Sequence, residues 1–167
     1  MAPSQLGVFA KSDPSLDEPN LQYHIQPLSL DAFGEPLHTF SAITASVCNL
    51  QPDSRGTVTI RSPNADDNPV IKPNYLSTPS DKNIAAKSIT LTRNIFATEA
   101  MRKYEPTEFL PGAEHQSPEA LAEQAGNIST SIFHPVGTAK MGTGKDAVVD
   151  RELNVYGIQN LRVVDAS

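Results

Sequence analysis

The sequence is poor in the residues that build cross-links, thiolate cages and aromatic cores. Its 167 residues include one cysteine, Cys48, and no tryptophan. A lone thiol cannot form an internal disulfide or a thiolate cage, so Cys48 is expected to be a small buried residue and no metal site is predicted. No run approaches the roughly 18 apolar residues of a membrane helix, and the first residues do not resemble a signal peptide. A soluble cytoplasmic protein is therefore expected.

Positive charge is also scarce. Thirteen Lys and Arg residues against nineteen Asp and Glu residues give a net charge of −6. The basic residues are scattered, so the chain has no basic patch for phosphate backbones or anionic lipids, and nucleic acid and membrane partners are not indicated. With 38% hydrophobic and 19% charged residues, the composition is compatible with one globular core.

Three segments have the patterns of β-strands. Leu21, Tyr23 and Ile25 alternate with polar residues, which predicts a strand with one buried face. A second strand is predicted at 42–50, and a third at 57–61. Because only a short turn separates the second and third strands, an antiparallel pair between them is expected. The segments 11–20 and 62–80 are rich in Pro, Asn and Asp and are predicted to be loops.

Two helices are predicted from their start signals. Residues 78–81, Thr-Pro-Ser-Asp, combine a hydroxyl N-cap, proline at the first helical position and an acid in the first turn. This helix is expected to reach about Tyr104. A second start signal at 117–119 predicts a short helix that Gly126 closes. The expected fold class is α+β, with an antiparallel sheet packed with helices.

Two glycine patterns do not indicate nucleotide binding. Residues 142–147 match G-x-G-x-x-A, but the strand-like run 147–150 follows where the dinucleotide fingerprint requires a helix. The phosphate-loop pattern fails in the same stretch, which is read as a polar turn. A Ser-His-Asp arrangement is not predicted either, because no serine lies in a G-x-S-x-G elbow.

The four histidines differ in their surroundings. His24, His38 and His115 each lack a second ligand-type residue at a metal-binding spacing, so each is expected to be solvated or hydrogen-bonded. Pro135 favours an extended backbone at His134, which would then point to the same side as Ile128, Thr130 and Ile132. An imidazole at the end of that apolar row could act as a base or hydrogen-bond donor in a dry pocket. The pattern leaves a structural histidine equally open.

A family resemblance adds to this pattern. Residues 133–142, F-H-P-V-G-T-A-K-M-G, together with 148–150, 153–157 and 161–167, resemble the C-terminal region of the glucose-methanol-choline (GMC) oxidoreductases, particularly bacterial choline-dehydrogenase-like members. Further resemblance to the same family, in the same order along the chain, is found at residues 52–56, residues 71–76 and Asp81. Residues 7–28 resemble the lead-in to its substrate-domain sheet, so the likeness covers nearly the whole chain.

The resemblance implies an FAD-dependent enzyme that oxidises alcohols by hydride transfer to the flavin. It aligns His134 with the family's active-site histidine, which would accept the hydroxyl proton or stabilise the alkoxide. Asp165 and Ala166 align with a segment that contacts the ribityl and pyrophosphate portion of FAD. The implied partners are a small-molecule alcohol and the FAD-binding half of the same enzyme.

The resemblance also implies a domain organisation. Residues 1–20 are expected to be a lead-in, 21–145 the substrate-binding domain, and 146–167 a return segment toward the FAD-binding domain, with a strand at 161–164 that lacks its neighbours. The family's dinucleotide fingerprint and second active-site residue have no counterpart in the sequence. The chain is therefore expected to be a fragment that is inactive alone. The alternative is a non-catalytic, truncated or relic domain that binds no flavin.

Overall fold

A computed structural model describes residues 4–32 and 34–167, which form two compact units. The first unit is Met1–Arg55 with Tyr75–Ser129, and the second is Gly56–Asn74 with Thr130–Ser167. In the described part of the chain, no helix is long and apolar enough to cross a membrane. The elements in chain order are β1 (Leu6–Ala10), β2 (Leu21–Gln26), β3 (Thr44–Asn49), β4 (Thr57–Thr59), β5 (Val70–Lys72), α1 (Pro79–Phe96), α2 (Glu99–Arg102) and α3 (Pro118–Ile128).

The first unit is built on an antiparallel sheet in the order β1-β2-β3. Tyr23 in the central strand lies opposite Val8 of β1 and Val47 of β3. Leu21 and Tyr23 are each only 1% exposed, which confirms the predicted strand and its buried face. Strand β1 falls in the predicted lead-in, where no strand is predicted. Gly7 interrupts the alternation of its sequence, and the strand is recognised only from its pairing with β2.

Helix α1 is joined to the sheet through a tyrosine. The hydroxyl of Tyr23 donates a hydrogen bond to the carbonyl of Ser88 at 3.2 Å, and the hydroxyl of Thr92 donates to Tyr23 Oη at 3.1 Å. Burial raises the pKa of Tyr23, against a smaller opposing effect of Thr92. Helix α3 packs on α1 with Leu121 and Ala125 buried. Helices on an antiparallel sheet confirm the α+β fold class.

Both helices begin where the sequence predicts. The hydroxyl of Thr78 accepts a hydrogen bond from the amide of Asp81, and that of Ser117 accepts from the amide of Ala120. Both are side-chain N-caps that satisfy amides without a partner inside the helix.

The predicted ends of both helices are wrong. Helix α1 ends at Phe96 rather than near Tyr104, because Thr98 is extended and its hydroxyl donates to the carbonyl of Ile95. A hydroxyl that binds nearby backbone competes with helical hydrogen bonding. Helix α3 continues past Gly126 to Ile128 and stops where the next residue becomes extended.

The predicted pairing of β3 with β4 is also wrong. Strand β3 pairs with β2, and β4 pairs with β5. The connection after β3 does not fold back as a hairpin, because the amides of Asp53 and Ser54 donate to the carboxylate of Asp81 at 2.9 and 2.8 Å. These bonds hold Asp53 and Ser54 against the first turn of α1.

The second unit has little regular structure. Gly56 begins its β4-β5 hairpin, and a Cβ at this position would lie 2.3 Å from the carbonyl oxygen of Lys72. Residues 130–167 contain isolated bridges, in which Val149 contacts Met141 and Val155, and Asn154 contacts Arg162. The strand-like runs 147–150 and 161–164 therefore form isolated bridges rather than full strands.

Candidate functional site

The loop that carries His134 has an unusual backbone. Phe133 has φ of 63°, in the left-handed region that favours glycine, and its amide donates to the hydroxyl of Ser131 at 2.9 Å. Ile128 lies at the end of α3 rather than in an extended run. The prediction that Ile128, Thr130, Ile132 and His134 share one side is therefore wrong. His134 is exposed in this structure.

The predicted catalytic and cofactor-binding segments lie beside each other in the second unit. The amide of Gly137 donates a hydrogen bond to the carbonyl of Ala166 at 3.0 Å. Gly137 has φ of 82°, which a glycine adopts without strain. This bond joins the backbone three residues after His134 to the backbone next to Asp165. The three residues that the sequence singles out thus lie on two adjacent segments.

Asp165 is an exposed carboxylate with a local hydrogen-bond system. The amide of Ser167 donates to Asp165 Oδ1 at 2.8 Å, and the hydroxyl of Ser167 donates to the same oxygen. These two bonds hold the pKa of Asp165 below its ordinary value, against a smaller opposing effect of burial. Asp165 is therefore ionised at neutral pH, and the residue is exposed.

A second carboxylate organises the chain that leads to this segment. Asp150 Oδ1 accepts from the amides of Glu152 and Asn154, both at 2.9 Å. The amide group of Asn154 donates to Asp150 Oδ2 at 3.1 Å, while its oxygen accepts from Arg162 Nε at 2.9 Å. Hydrogen bonds from Asn154 hold the pKa of Asp150 below its ordinary value, so this carboxylate acts as an ionised anchor.

Backbone hydrogen bonds extend this arrangement to the end of the chain. The amide of Val155 donates to the carbonyl of Leu161 at 2.9 Å, and the amide of Val163 donates to that of Leu153 at 3.2 Å. Residues 153–155 therefore run beside 161–163. The segment that leads to Ala166 is thus held as far as Val163 by hydrogen bonds within its own unit.

The second unit exposes many of its large apolar side chains. In contrast, Val149 is buried, with 2% of its surface exposed. Extensive exposed apolar surface is typical of a face that another protein segment covers. The exposed side chains include Val58, Ile60, Ile71, Ile132, Phe133, Val136, Met141, Tyr156, Ile158, Leu161 and Val164.

The other histidines lie in the first unit. Nε2 of His24 is buried and has no hydrogen-bond partner within residues 4–32 and 34–167, so the expectation of a solvated or bonded imidazole is wrong for this atom. In the sheet register His24 pairs with Gly7 of β1 and Ser46 of β3. Neither residue forms a hydrogen bond with His24 Nε2. His115 Nε2 lies 3.4 Å from Glu114 Oε1, and its side chain is 29% exposed, which agrees with the expectation of a solvated histidine.

The structure brings together one trio that the sequence motifs missed. His38 Nδ1 lies 3.0 Å from Ser29 Oγ, and His38 Nε2 lies 3.1 Å from Asp31 Oδ1. The amide of His38 also donates to the carbonyl of Ser29, and its ring stacks on Phe40 at 4.8 Å. Asp31 is exposed and the trio closes a loop on itself, so its evident role is to brace the β2-β3 connection. The G-x-S-x-G motif does not cover this trio, because Ser29 has Pro27 and Asp31 where the motif requires glycines.

Comparison with known proteins identifies the family. The family model described as GMC oxidoreductase matches residues 52–167. An alcohol dehydrogenase (acceptor) from Pseudomonas putida is 39% identical over 98% of this chain and 30% of its own length. Mitochondrial choline dehydrogenase from Mus musculus is 37% identical over 98% of this chain and 28% of its own length. The chain belongs to the GMC oxidoreductase family, which confirms the resemblance seen in its motifs.

Solved structures agree with this assignment. Pyridoxine 4-oxidase from Mesorbium loti has a TM-score of 0.87 at 27% identity, covering 99% of this chain and 33% of that chain. A fungal aryl-alcohol oxidase has a TM-score of 0.71 at 27% identity, covering 89% of this chain and 23% of that chain. The chain therefore spans about a third or less of the length of the proteins that it matches.

Proposed function

We propose that the chain is the substrate-binding, C-terminal part of an FAD-dependent oxidoreductase that acts on CH–OH groups. The observation that carries the proposal is the 3.0 Å hydrogen bond between Gly137 and Ala166. It brings the loop of the proposed catalytic His134 beside the proposed cofactor-binding residues Asp165 and Ala166. Membership of the GMC oxidoreductase family supports the reaction class.

His134 is the proposed catalytic base. Oxidation of an alcohol to a carbonyl removes the hydroxyl proton from oxygen and a hydride from carbon. A ring nitrogen of His134 accepts that proton, because a neutral imidazole can take up a proton near neutral pH without carrying a permanent charge. FAD, when bound, supplies the hydride acceptor. The exposure of His134 in this chain leaves the imidazole accessible to a substrate.

Asp165 and Ala166 fit the proposed contact with the cofactor. The carboxylate of Asp165 is ionised and exposed, and an ionised carboxylate accepts strong hydrogen bonds from hydroxyl groups such as those of the ribityl chain. The amide of Gly137 donates to the carbonyl of Ala166, next to Asp165.

The FAD-binding part of the enzyme is the proposed partner of the exposed apolar side chains in the second unit. The relatives are about three times as long as this chain, so most of each relative lies outside the matched segment. We retain 21–145 as the proposed substrate-binding domain and 146–167 as the proposed return segment. A small alcohol is the proposed substrate class, since the names of the relatives include an alcohol dehydrogenase and choline dehydrogenases.

The proposal can be tested with the chain alone and with a chimera. The purified chain should be colourless and should not reduce a redox dye with simple alcohols or choline. A chimera in which the chain replaces the matching segment of the Pseudomonas putida alcohol dehydrogenase should be yellow and should reduce the dye. A folded chimera without flavin or without turnover would contradict the proposal and favour a non-catalytic relic. Circular dichroism of both proteins separates that outcome from misfolding.

A further inference from the structure

We infer, on the basis of the function proposed above, that Phe133 is a positioning residue for His134. Its left-handed backbone, with φ of 63°, sets the direction in which the imidazole of the next residue points. In an extended run, residues two apart point to the same side. A left-handed residue between Ile132 and His134 breaks that alternation, so His134 is turned away from the direction that Ile132 takes.

The conformation of Phe133 is unfavourable for its residue type. A left-handed backbone is unfavourable for an L-residue, because Cβ approaches the following carbonyl oxygen. Gly137 and Gly157 occupy the same region of backbone space in this unit, with φ of 82° and 79°, and do so without that cost. Phe133 is 63% exposed in this chain. Strained backbone of this kind is concentrated at functional sites.

Neighbouring groups on both sides hold the left-handed turn. The hydroxyl of Ser131 accepts the amide hydrogen of Phe133 at 2.9 Å. Pro135 has a fixed φ and restricts His134 from the other side. The bond from Gly137 to Ala166 then fixes the loop a few residues later. His134 thus lies between two anchored points, with Phe133 as the residue at which the chain turns.

Substitutions at Phe133 can separate the backbone from the ring. Asparagine tolerates the left-handed region but has no ring, whereas valine is apolar but is strongly disfavoured there. In the chimera, Phe133→Asn should keep kcat within about threefold, and Phe133→Val should lower kcat about tenfold or more at similar KM, since small misplacements of a catalytic group are costly. Ile128→Val, a conservative change at the end of α3 in the first unit, is the control and should stay within about twofold of the parent.

The outcomes distinguish failure of the positioning role of Phe133 from failure of the proposed function. A Phe133→Val variant with parental kcat, or a Phe133→Asn variant that falls as far as the valine variant, would overturn the positioning role. If His134→Ala leaves turnover unchanged, the proposed function itself fails. If His134→Ala abolishes turnover while Phe133→Val does not, only the inference about Phe133 fails.

A second measurement uses the 167-residue chain and needs no flavin. NMR backbone shifts should show a left-handed residue 133 in the parent and in Phe133→Asn, and an extended one in Phe133→Val. The ring resonances of His134 should move in the valine variant and stay near their parental positions in the asparagine variant. Unchanged His134 resonances in Phe133→Val would overturn the inference even if the chimera does not fold.

Discussion

The carboxylate of Asp81 accepts a hydrogen bond from the amide of Ser54 at 2.8 Å. The same carboxylate accepts from the amide of Asp53 at 2.9 Å and from the side chain of Asn49 at 3.2 Å. The hydroxyl of Ser54 in turn accepts from the amide of Ser77 at 2.9 Å. One buried acid, 3% exposed, therefore joins the end of β3 to the start of α1.

Replacement of this acid should destabilise the first unit. In Asp81→Asn, the new NH₂ group faces amide donors, and the ionised acceptor is lost. The free energy of unfolding should fall by about 1–3 kcal/mol, the usual cost of leaving buried donors unsatisfied. Urea titration followed by circular dichroism measures the change. Asp53→Asn is the control, since Asp53 contributes its backbone amide to the site; an equal loss there would contradict the account.

The same acid should make stability depend on pH. Burial raises the pKa of Asp81, but hydrogen bonds from Ser54 and neighbouring groups outweigh it and leave the pKa below the ordinary value of 3.8. A lowered folded-state pKa stabilises the protein above the unfolded value, and that contribution is lost as pH falls through the folded value. The stability difference between wild type and Asp81→Asn should therefore be constant at pH 5–7, within the range well above that value, and shrink below about pH 4. A difference that grows on acidification would contradict this assignment.

Substitution of Arg93 should destabilise the protein more than substitution of an exposed arginine. Its guanidinium donates to both oxygens of Glu108, at 2.8 and 2.9 Å, and to the carbonyls of Gly112 and His115. Lysine cannot reproduce this planar set of donors. Arg93→Lys should lower the melting temperature by several degrees, corresponding to about 1–2 kcal/mol. Arg102→Lys, at an exposed site, should change it little; equal effects would show that the fork geometry is unimportant.

Gly56 should not tolerate even a methyl group. A Cβ there would lie 2.3 Å from the backbone oxygen of Lys72, so the β4-β5 hairpin must shift. Gly56→Ala should cost about 1–3 kcal/mol, as overpacking against rigid backbone does. Gly144→Ala is the matched control, because a Cβ at residue 144 meets nothing within 4 Å. Faster amide hydrogen exchange in the hairpin of Gly56→Ala alone would support the contact, and equal exchange in both variants would refute it.

Local signals predicted those parts of the fold that depend on neighbouring residues. The alternation around Tyr23 predicted β2, and the hydroxyl-proline starts at Thr78 and Ser117 predicted where α1 and α3 begin. The motifs around His134 and Asp165 predicted the enzyme family, and the family model that matches residues 52–167 confirms that family. Their roles stay predictions.

The parts that were not predicted depend on distant partners. Asp81 binds a turn 27 residues away, so nothing in the sequence near Ser54 shows that the turn is unable to form a hairpin. Strand β1 is defined by β2, and its own sequence has little alternation. The left-handed turn at Phe133 has no glycine to signal it, since the constraint comes from Ser131 and the backbone beyond His134.

The measurement that tests the central claim most directly is anaerobic flavin reduction by an alcohol in the chimera, with and without His134→Ala. Loss of a general base should slow flavin reduction about a hundredfold or more while the flavin content stays the same. Reduction at the parental rate in His134→Ala, with flavin still bound, would contradict the account and return His134 to a structural role.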